Sequence, residues 1–127
     1  MEEQQHHEEL VKGVAKEQKF ILDRSPLAIY IYLDDTHKVC NKKFAELIGY
    51  KSASEWARMD APLADVVEEY QQAVIDAYTK ASEQLIPGQL EIKMRNVKTA
   101  KILKVNLFLT PIMYGGHVLV MHFLKMV

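Results

Sequence analysis

The sequence lacks several features that would assign a protein to a particular class. It has one cysteine, Cys40, so the chain cannot form an internal disulfide bond. It contains no apolar run of about 18 residues, the length that crosses a membrane as a helix. Its first segment, MEEQQHHEEL, is polar and acidic, unlike a signal peptide. These absences predict a cytoplasmic protein with a reduced thiol.

The sequence also has no marked excess of either positive or negative charge. The chain has 16 Lys and Arg against 17 Asp and Glu, a net charge of -1. Such a balance provides no basic field, and we expect partners that include neither nucleic acid nor a membrane. The length of 127 residues corresponds to one domain, and the 49% of hydrophobic residues suffices for a core.

The first segment predicts a helix. Residues 2–24 contain no proline and only one glycine, and Ser25-Pro26 then ends the helical pattern. We therefore divide the chain into an N-terminal helix, residues 1–24, and a domain, residues 25–127. One side of this helix carries a mostly apolar stripe at roughly heptad spacing. It is formed by Val11, Val14, Gln18 and Ile21.

Strands and helices alternate along the remaining sequence. Asn41 is a helix cap, Gly49 ends that helix, and residues 66–84 have helical spacing. Gly115-Gly116 predicts a tight hairpin. Alternation of apolar residues predicts five strands, at residues 27–33, 37–40, 90–96, 101–112 and 117–124.

This order, together with the segment VCNKKFAELIGY, resembles the PAS domain family over residues 25–124. The family pattern N-x-x-F-…-L-x-G-Y is matched by Asn41, Phe44, Leu47, Gly49 and Tyr50. The resemblance implies an α+β fold in which helices cover one face of a five-stranded antiparallel sheet. Here an N-terminal amphipathic helix would precede that domain.

The resemblance also implies a function. PAS domains, also called sensory boxes, serve in signal transduction in histidine kinases and transcription regulators, and they are not enzymes. We therefore predict a sensory or protein-interaction domain that acts on a signalling output domain or a partner protein. The family's Asp-Ile-Thr-like linker is replaced here by FLKMV, which indicates an excised domain or a stand-alone protein.

Alternation and the family's register predict which face each strand turns to the helices. We expect the aliphatic residues to point inward, where they line a cavity for a small apolar ligand or a cofactor, or fill a packed core. The predicted lining comprises Ile29, Ile31, Phe44, Trp56, Met94, Val105, Leu107, Leu119, Met121 and Phe123.

The opposite face is then also apolar, which is unusual for a solvated sheet. We expect this face to be covered, either by the chain's own first helix or by a second copy in a homodimer. The predicted dimer interface comprises Val11, Val14, Gln18, Ile21, Tyr30, Tyr32, Phe108, Val118 and Val120.

The sequence departs from two cofactor-binding patterns of the family. Cys40 precedes Asn41 instead of following it, so it does not match the photoactive cysteine of the flavin-binding LOV subgroup. Haem-binding PAS domains take a histidine from the long helix, and residues 66–84 contain none. Adjacent residues His6 and His7 would not share a helix face, so no metal site is expected. Flavin and haem are therefore disfavoured, and the residues identify no other cofactor.

An enzyme of the cone-shaped isomerase type is a further alternative, because it also wraps helices around a curved sheet. It would need an Asp, or a Tyr–Asp pair, inside the cavity. Asp34 and Tyr70 are the residues whose placement in a wet pocket would support it.

Overall fold

Six helices and five strands form the structure, a computed structural model that describes residues 2–127, with side chains from Gln5 onward. The helices are α1 (Glu2–Glu17), α2 (Lys19–Arg24), α3 (Lys42–Ile48), α4 (Ala53–Arg58), a 3-10 turn (Pro62–Asp65) and α5 (Glu68–Gln84). The strands are β1 (Ala28–Asp34), β2 (His37–Cys40), β3 (Gly88–Arg95), β4 (Ile102–Tyr114) and β5 (His117–Met126).

The strands form one antiparallel sheet in the order β2-β1-β5-β4-β3. The predicted α+β fold, a five-stranded antiparallel sheet with a preceding helix, is therefore confirmed. None of the helices in the described residues has the length and hydropathy that a membrane crossing requires.

The N-terminal helix differs from the prediction, because it is two helices rather than one. The break falls at Gln18, whose backbone has φ -94° and ψ 10°. Beyond it, α2 buries Leu22 in the same apolar cluster as Val14 of α1, whereas Phe20 and Ile21 stay exposed. Both helices thus keep an aliphatic side chain on the sheet, one on each side of the break.

Helix α1 covers one face of the sheet, which we call the outer face. Val14 is 1% exposed although it lies on a peripheral helix. Its cluster contains, besides Leu22, residues from β1 and β5, namely Ile29, Ile31, Leu119 and Met121. The apolar outer face is thus covered within the single chain, which is one of the two arrangements expected from the sequence.

The strand faces were predicted correctly for β4 and wrongly for β1 and β5. Leu107 and Leu109 of β4 belong to the core on the side of α3, α4 and α5, as expected. Ile29, Ile31, Leu33, Leu119, Met121 and Phe123 instead lie with α1 on the outer face. Their neighbours Tyr30, Val120 and His122 occupy the inner face.

The hairpin explains this reversal. Gly115 and Gly116 both have positive φ and form a two-residue loop, so Tyr114 pairs with His117. That register places Leu109 opposite His122. Residues directly opposite each other share a face, so an inward Leu109 requires an inward His122. Alternation and the family's register did not include this pairing, so they gave the opposite phase for β5 and for β1, which pairs with it.

Asn41 joins β1 to α3. Its side-chain oxygen accepts hydrogen bonds from the backbone N–H groups of Ile29 (3.0 Å) and Phe44 (2.9 Å). Its amide donates to the carbonyl of Leu27 at 3.0 Å. The predicted helix cap is confirmed, as is the left-handed Gly49 that ends α3 with φ 93°. This cap fixes Phe44 over the inner face.

Gly13 allows α1 to approach the sheet. A Cβ atom at this position would overlap the hydroxyl group of Tyr114. Alanine is favoured over glycine inside a helix by about 1 kcal/mol, so Gly13→Ala would be stabilising on helix propensity alone. The contact with Tyr114 opposes this gain.

We predict that Gly13→Ala lowers the free energy of unfolding in the native sequence, because Tyr114 must be displaced. In a Tyr114→Ala background, the same change should raise it by up to about 1 kcal/mol. Urea denaturation of the four variants measures both effects. Stabilisation by Gly13→Ala in both backgrounds would contradict close docking of α1.

Candidate ligand-binding cavity

A partly open cavity of about 380 Å³ lies between the inner face of the sheet and the helices. Its floor comes from β1, β3 and β5, and its walls from α3, α4, the 3-10 turn and α5. The lining residues are Tyr30, Tyr32, Asp35, Phe44, Trp56, Ala61, Pro62, Leu63, Val66, Val74, Ile75, Tyr78, Met94 and His122. Most of them are aromatic or aliphatic, so the cavity suits an apolar molecule.

Aromatic rings form one side of this cavity. His122 stacks on Tyr30 with a centroid distance of 4.0 Å and an interplanar angle of 10°. Tyr78 of α5 lies parallel to His122 at 6.2 Å. The ring centroids of Phe44 and Trp56 lie 4.8 and 5.3 Å from that of Tyr30. A flat molecule would find stacking and edge contacts here.

His122 is neutral in this environment. Burial lowers its pKa to about 3, and hydrogen bonds to the backbone of Val120 and Tyr30 offset only part of that effect. Its Nδ1 lies 3.1 Å from the carbonyl oxygen of Val120. Because a neutral ring must donate to a carbonyl, the proton is on Nδ1.

Polar groups are concentrated at the cavity mouth. The Tyr32 hydroxyl donates a hydrogen bond to the exposed carboxylate of Asp35. Burial, followed by this contact, raises the pKa of Tyr32, so the phenol stays protonated. Tyr78 donates to the carbonyl of Leu33 at 3.3 Å. A ligand with a hydrogen-bond donor would therefore meet the Asp35 carboxylate as it enters.

Lys38 holds α4 against β2 beside the cavity. Only 2% of this residue is exposed, and its ammonium donates to the carbonyls of Asp35, Ala57 and Met59. It also lies 5.0 Å from the centre of the Trp56 ring. Three charge-assisted hydrogen bonds compensate its burial and fix Trp56 in the wall.

Of the ten residues predicted to line the cavity, Phe44, Trp56 and Met94 do so. Val105 and Leu107 lie on the inner face within the packed core, away from the opening. The remaining five, Ile29, Ile31, Leu119, Met121 and Phe123, face α1. Tyr30, Tyr32, Tyr78 and His122 were missed, although the two-residue hairpin loop already required an inward His122.

The residues predicted for a dimer interface are separated by the sheet. Val11 and Val14 are buried within the chain, and Tyr30, Tyr32 and Val120 lie on the inner face, so these five do not form a shared outer surface. Gln18, Phe108 and Val118 are partly buried, and Ile21 is exposed. The wrong phase assigned to β1 and β5 accounts for the tyrosines and Val120.

Neither Cys40 nor the residues considered for an enzyme lie inside the cavity. Cys40 is buried in β2, and burial raises the pKa of its thiol to about 12, so it is not a nucleophile at neutral pH. Asp34 and Tyr70 are not among the lining residues. A Tyr–Asp pair does occur at the mouth, as Tyr32 and Asp35, but that carboxylate is exposed.

No family model and no curated protein matches the chain by sequence. A PAS domain from a two-component sensor histidine kinase superposes with a TM-score of 0.67 at 15% identity, covering 91% of this chain and 98% of that chain. The PAS domain of a Colwellia psychrerythraea protein superposes with a TM-score of 0.65 at 20% identity. The match covers 90% of this chain and 97% of that chain.

The chain has the PAS fold. The Vibrio cholerae VqmA dimer, described among LuxR-type receptors, contains the same fold with a TM-score of 0.68 at 15% identity. This chain covers 51% of VqmA, while 88% of this chain is matched. In this chain the cavity of the fold lies between the sheet and α3 to α5.

His122 generates a prediction on pH. Its folded pKa, about 3, lies below the unfolded value of about 6.5, so the unfolded chain binds the extra proton between these values. The stability that the neutral His122 contributes is therefore fully present above pH 6.5. As the pH falls below 6.5, the free energy of unfolding decreases by up to about 1.4 kcal/mol per pH unit.

Between pH 7.5 and pH 5, the free energy of unfolding of the native protein should fall. In His122→Phe, which keeps a stacking ring, we expect this fall to be smaller by about 2 kcal/mol. Denaturant unfolding at the two pH values measures this difference. His117→Gln, at the sheet end, is the control and should not reproduce it. Equal losses in the native protein and His122→Phe would mean that His122 is not buried neutral.

Proposed function

We propose that this chain is a non-catalytic sensory domain of signal transduction that binds a small, flat, largely apolar molecule. The observation that carries the proposal is the cavity of about 380 Å³ lined by Tyr30, Phe44, Trp56, Tyr78 and His122. A partly open cavity of this volume, with mostly apolar walls, falls within the range of small-molecule sites, about 300–1,000 Å³.

Selectivity would come from the mouth of the cavity. The Asp35 carboxylate accepts from Tyr32 and is exposed, so it can accept a further hydrogen bond from a ligand N–H or O–H. The apolar walls favour a ring system, while the single acidic residue among the lining residues disfavours an anion. A neutral heteroaromatic molecule with a donor group fits both features.

Signalling would proceed through the sheet. Tyr30 and His122 face the cavity, whereas their chain neighbours Ile29 and Phe123 face α1. A ligand that shifts the ring stack would also shift the strands under α1, and it would bias the position of that helix. This is a two-state coupling, in which the ligand binds one helix position more tightly.

Indole is a suitable probe, because it is flat and carries one N–H donor. We expect saturable indole binding by protein-observed NMR, or a co-purified molecule by native mass spectrometry. Val74→Phe should weaken indole binding at least about tenfold, because Val74 is 7% exposed and lines the cavity.

Ala73→Phe provides the matched control, since Ala73 precedes Val74 on α5 and is exposed. It should bind indole as the native protein does. Circular dichroism checks that both variants fold. Equal affinity in the native protein and Val74→Phe, or no binding and no co-purified molecule, would contradict ligand sensing in this cavity.

We also propose that the sensory domain acts as a homodimer through α2. Phe20 is 72% exposed and Ile21 is 43% exposed, side by side on a helix that adjoins the outer face. Large apolar side chains grouped at the surface favour association. The partner in signalling would be a second copy or an output domain joined through this helix.

Light scattering coupled to size-exclusion chromatography tests this proposal. We expect a mass of two chains for the native protein and of one chain for Phe20→Glu. Val97→Glu replaces another exposed apolar residue, 46% exposed in the β3–β4 loop, and should remain dimeric. A native monomer at micromolar concentration would exclude this interface.

A further inference from the structure

Four of the five histidines gather at one end of the sheet, where α1 begins. His6 and His7 lie near the start of α1, His37 begins β2, and His117 begins β5. Asp34, the last residue of β1, lies among them. The sensory proposal makes no use of this group, which lies outside the cavity lining.

Three of these residues converge on a common point. His7 Nδ1 lies 3.0 Å from Asp34 Oδ2, and His37 Nδ1 lies 2.7 Å from Asp34 Oδ1. The potential ligand atoms of all three residues lie within 4.8 Å of one another. The two imidazole rings meet edge to face at a centroid distance of 5.4 Å.

We propose that His7, Asp34 and His37 form a binding site for a divalent first-row transition metal such as Zn²⁺. Two imidazole nitrogens and one carboxylate oxygen suit Zn²⁺ rather than the oxygen-seeking Ca²⁺ or Mg²⁺. Bonds of about 2.0–2.2 Å separate the ligand atoms of a tetrahedral site by about 3.3 Å. The distances between the imidazole nitrogens and the Asp34 oxygens, 3.0 and 2.7 Å, would have to lengthen only slightly to reach this value.

The sheet side of the site is already organised. Asp34 Oδ1 accepts from the backbone N–H of Thr36 at 3.0 Å and lies 3.2 Å from its hydroxyl. His37 is 7% exposed, so its ring has little freedom to rotate. The side chains of His7 and Asp34 are 26% and 38% exposed, which leaves a route for the ion and room for a water ligand.

The metal would fasten α1 to the sheet, since His7 belongs to α1 while Asp34 and His37 belong to β1 and β2. An ion that needs ligands from both elements binds only the docked arrangement and therefore stabilises it. Metal binding would thus set the docking of the helix that covers the outer face. This role is separate from ligand binding in the cavity.

A second pair of histidines provides an internal control. His6 Nε2 lies 3.0 Å from His117 Nε2 at the β4–β5 hairpin. Because neighbouring helix residues point about 100° apart, His6 and His7 reach different partners on the sheet. His117→Gln therefore removes a nearby imidazole without removing a ligand of the proposed site.

The test uses the full chain, freed of metal by EDTA, and Zn²⁺ as the probe. Isothermal titration calorimetry should give one Zn²⁺ per chain. Binding by His7→Gln and by His37→Gln should be weaker by at least about tenfold, whereas His117→Gln should match the native protein. Co²⁺ should give the intense visible bands of a tetrahedral site only where all three ligands remain.

Hydrogen exchange provides a second measurement. Zn²⁺ should slow amide exchange in α1 of the native protein, but not in His7→Gln, whose substitution lies on a helix surface and spares the core. Unchanged Zn²⁺ affinity in His7→Gln and His37→Gln overturns the proposal. Loss of binding in His117→Gln, with retention in His7→Gln, overturns it as well and moves the site to His6 and His117.

Discussion

Both faces of the central sheet are apolar, and the structure depends on covering each of them. An antiparallel sheet usually leaves one face to water. Here α3, α4 and α5 cover the inner face, while α1 and α2 cover the outer one. Ile29, Ile31 and Leu119 reach 0–1% exposure only because Val14 and Leu22 lie above them. The N-terminal helices are therefore structural parts of the domain.

Because helices cover both faces of the sheet, the proposed cavity site and the proposed metal site are connected through the same strands and α1. Tyr30 and His122 form part of the cavity wall, and the adjacent residues of the same strands support α1. Strand alternation places a ligand contact and a helix contact one residue apart, so little backbone movement is needed to pass from one to the other. A metal at His7, Asp34 and His37 would act at the far end of the same helix and limit how far it moves.

Local signals in the sequence predicted the elements well. The Asn41 cap and the left-handed Gly49 depend on hydrogen bonds and backbone conformation within a few residues, and both occur as expected. The Gly115-Gly116 hairpin is equally local. The phase of β1 and β5 was wrong because period two permits both faces, and aliphatic residues were equated with the inner one. The hairpin register, applied to Leu109 and His122, would have corrected it.

The sequence by itself determined the order of helices and strands, the hairpin register and the fold class, because each follows from short-range periodicity and turn chemistry. Only the tertiary structure decided that α1 docks on the outer face of its own chain, since the sequence equally allowed a second copy to cover that face. It alone brought His7 to Asp34 and His37, because residues 27 or more positions apart meet only when α1 docks. It alone left a cavity beside His122, since its volume depends on how side chains from seven elements fit together.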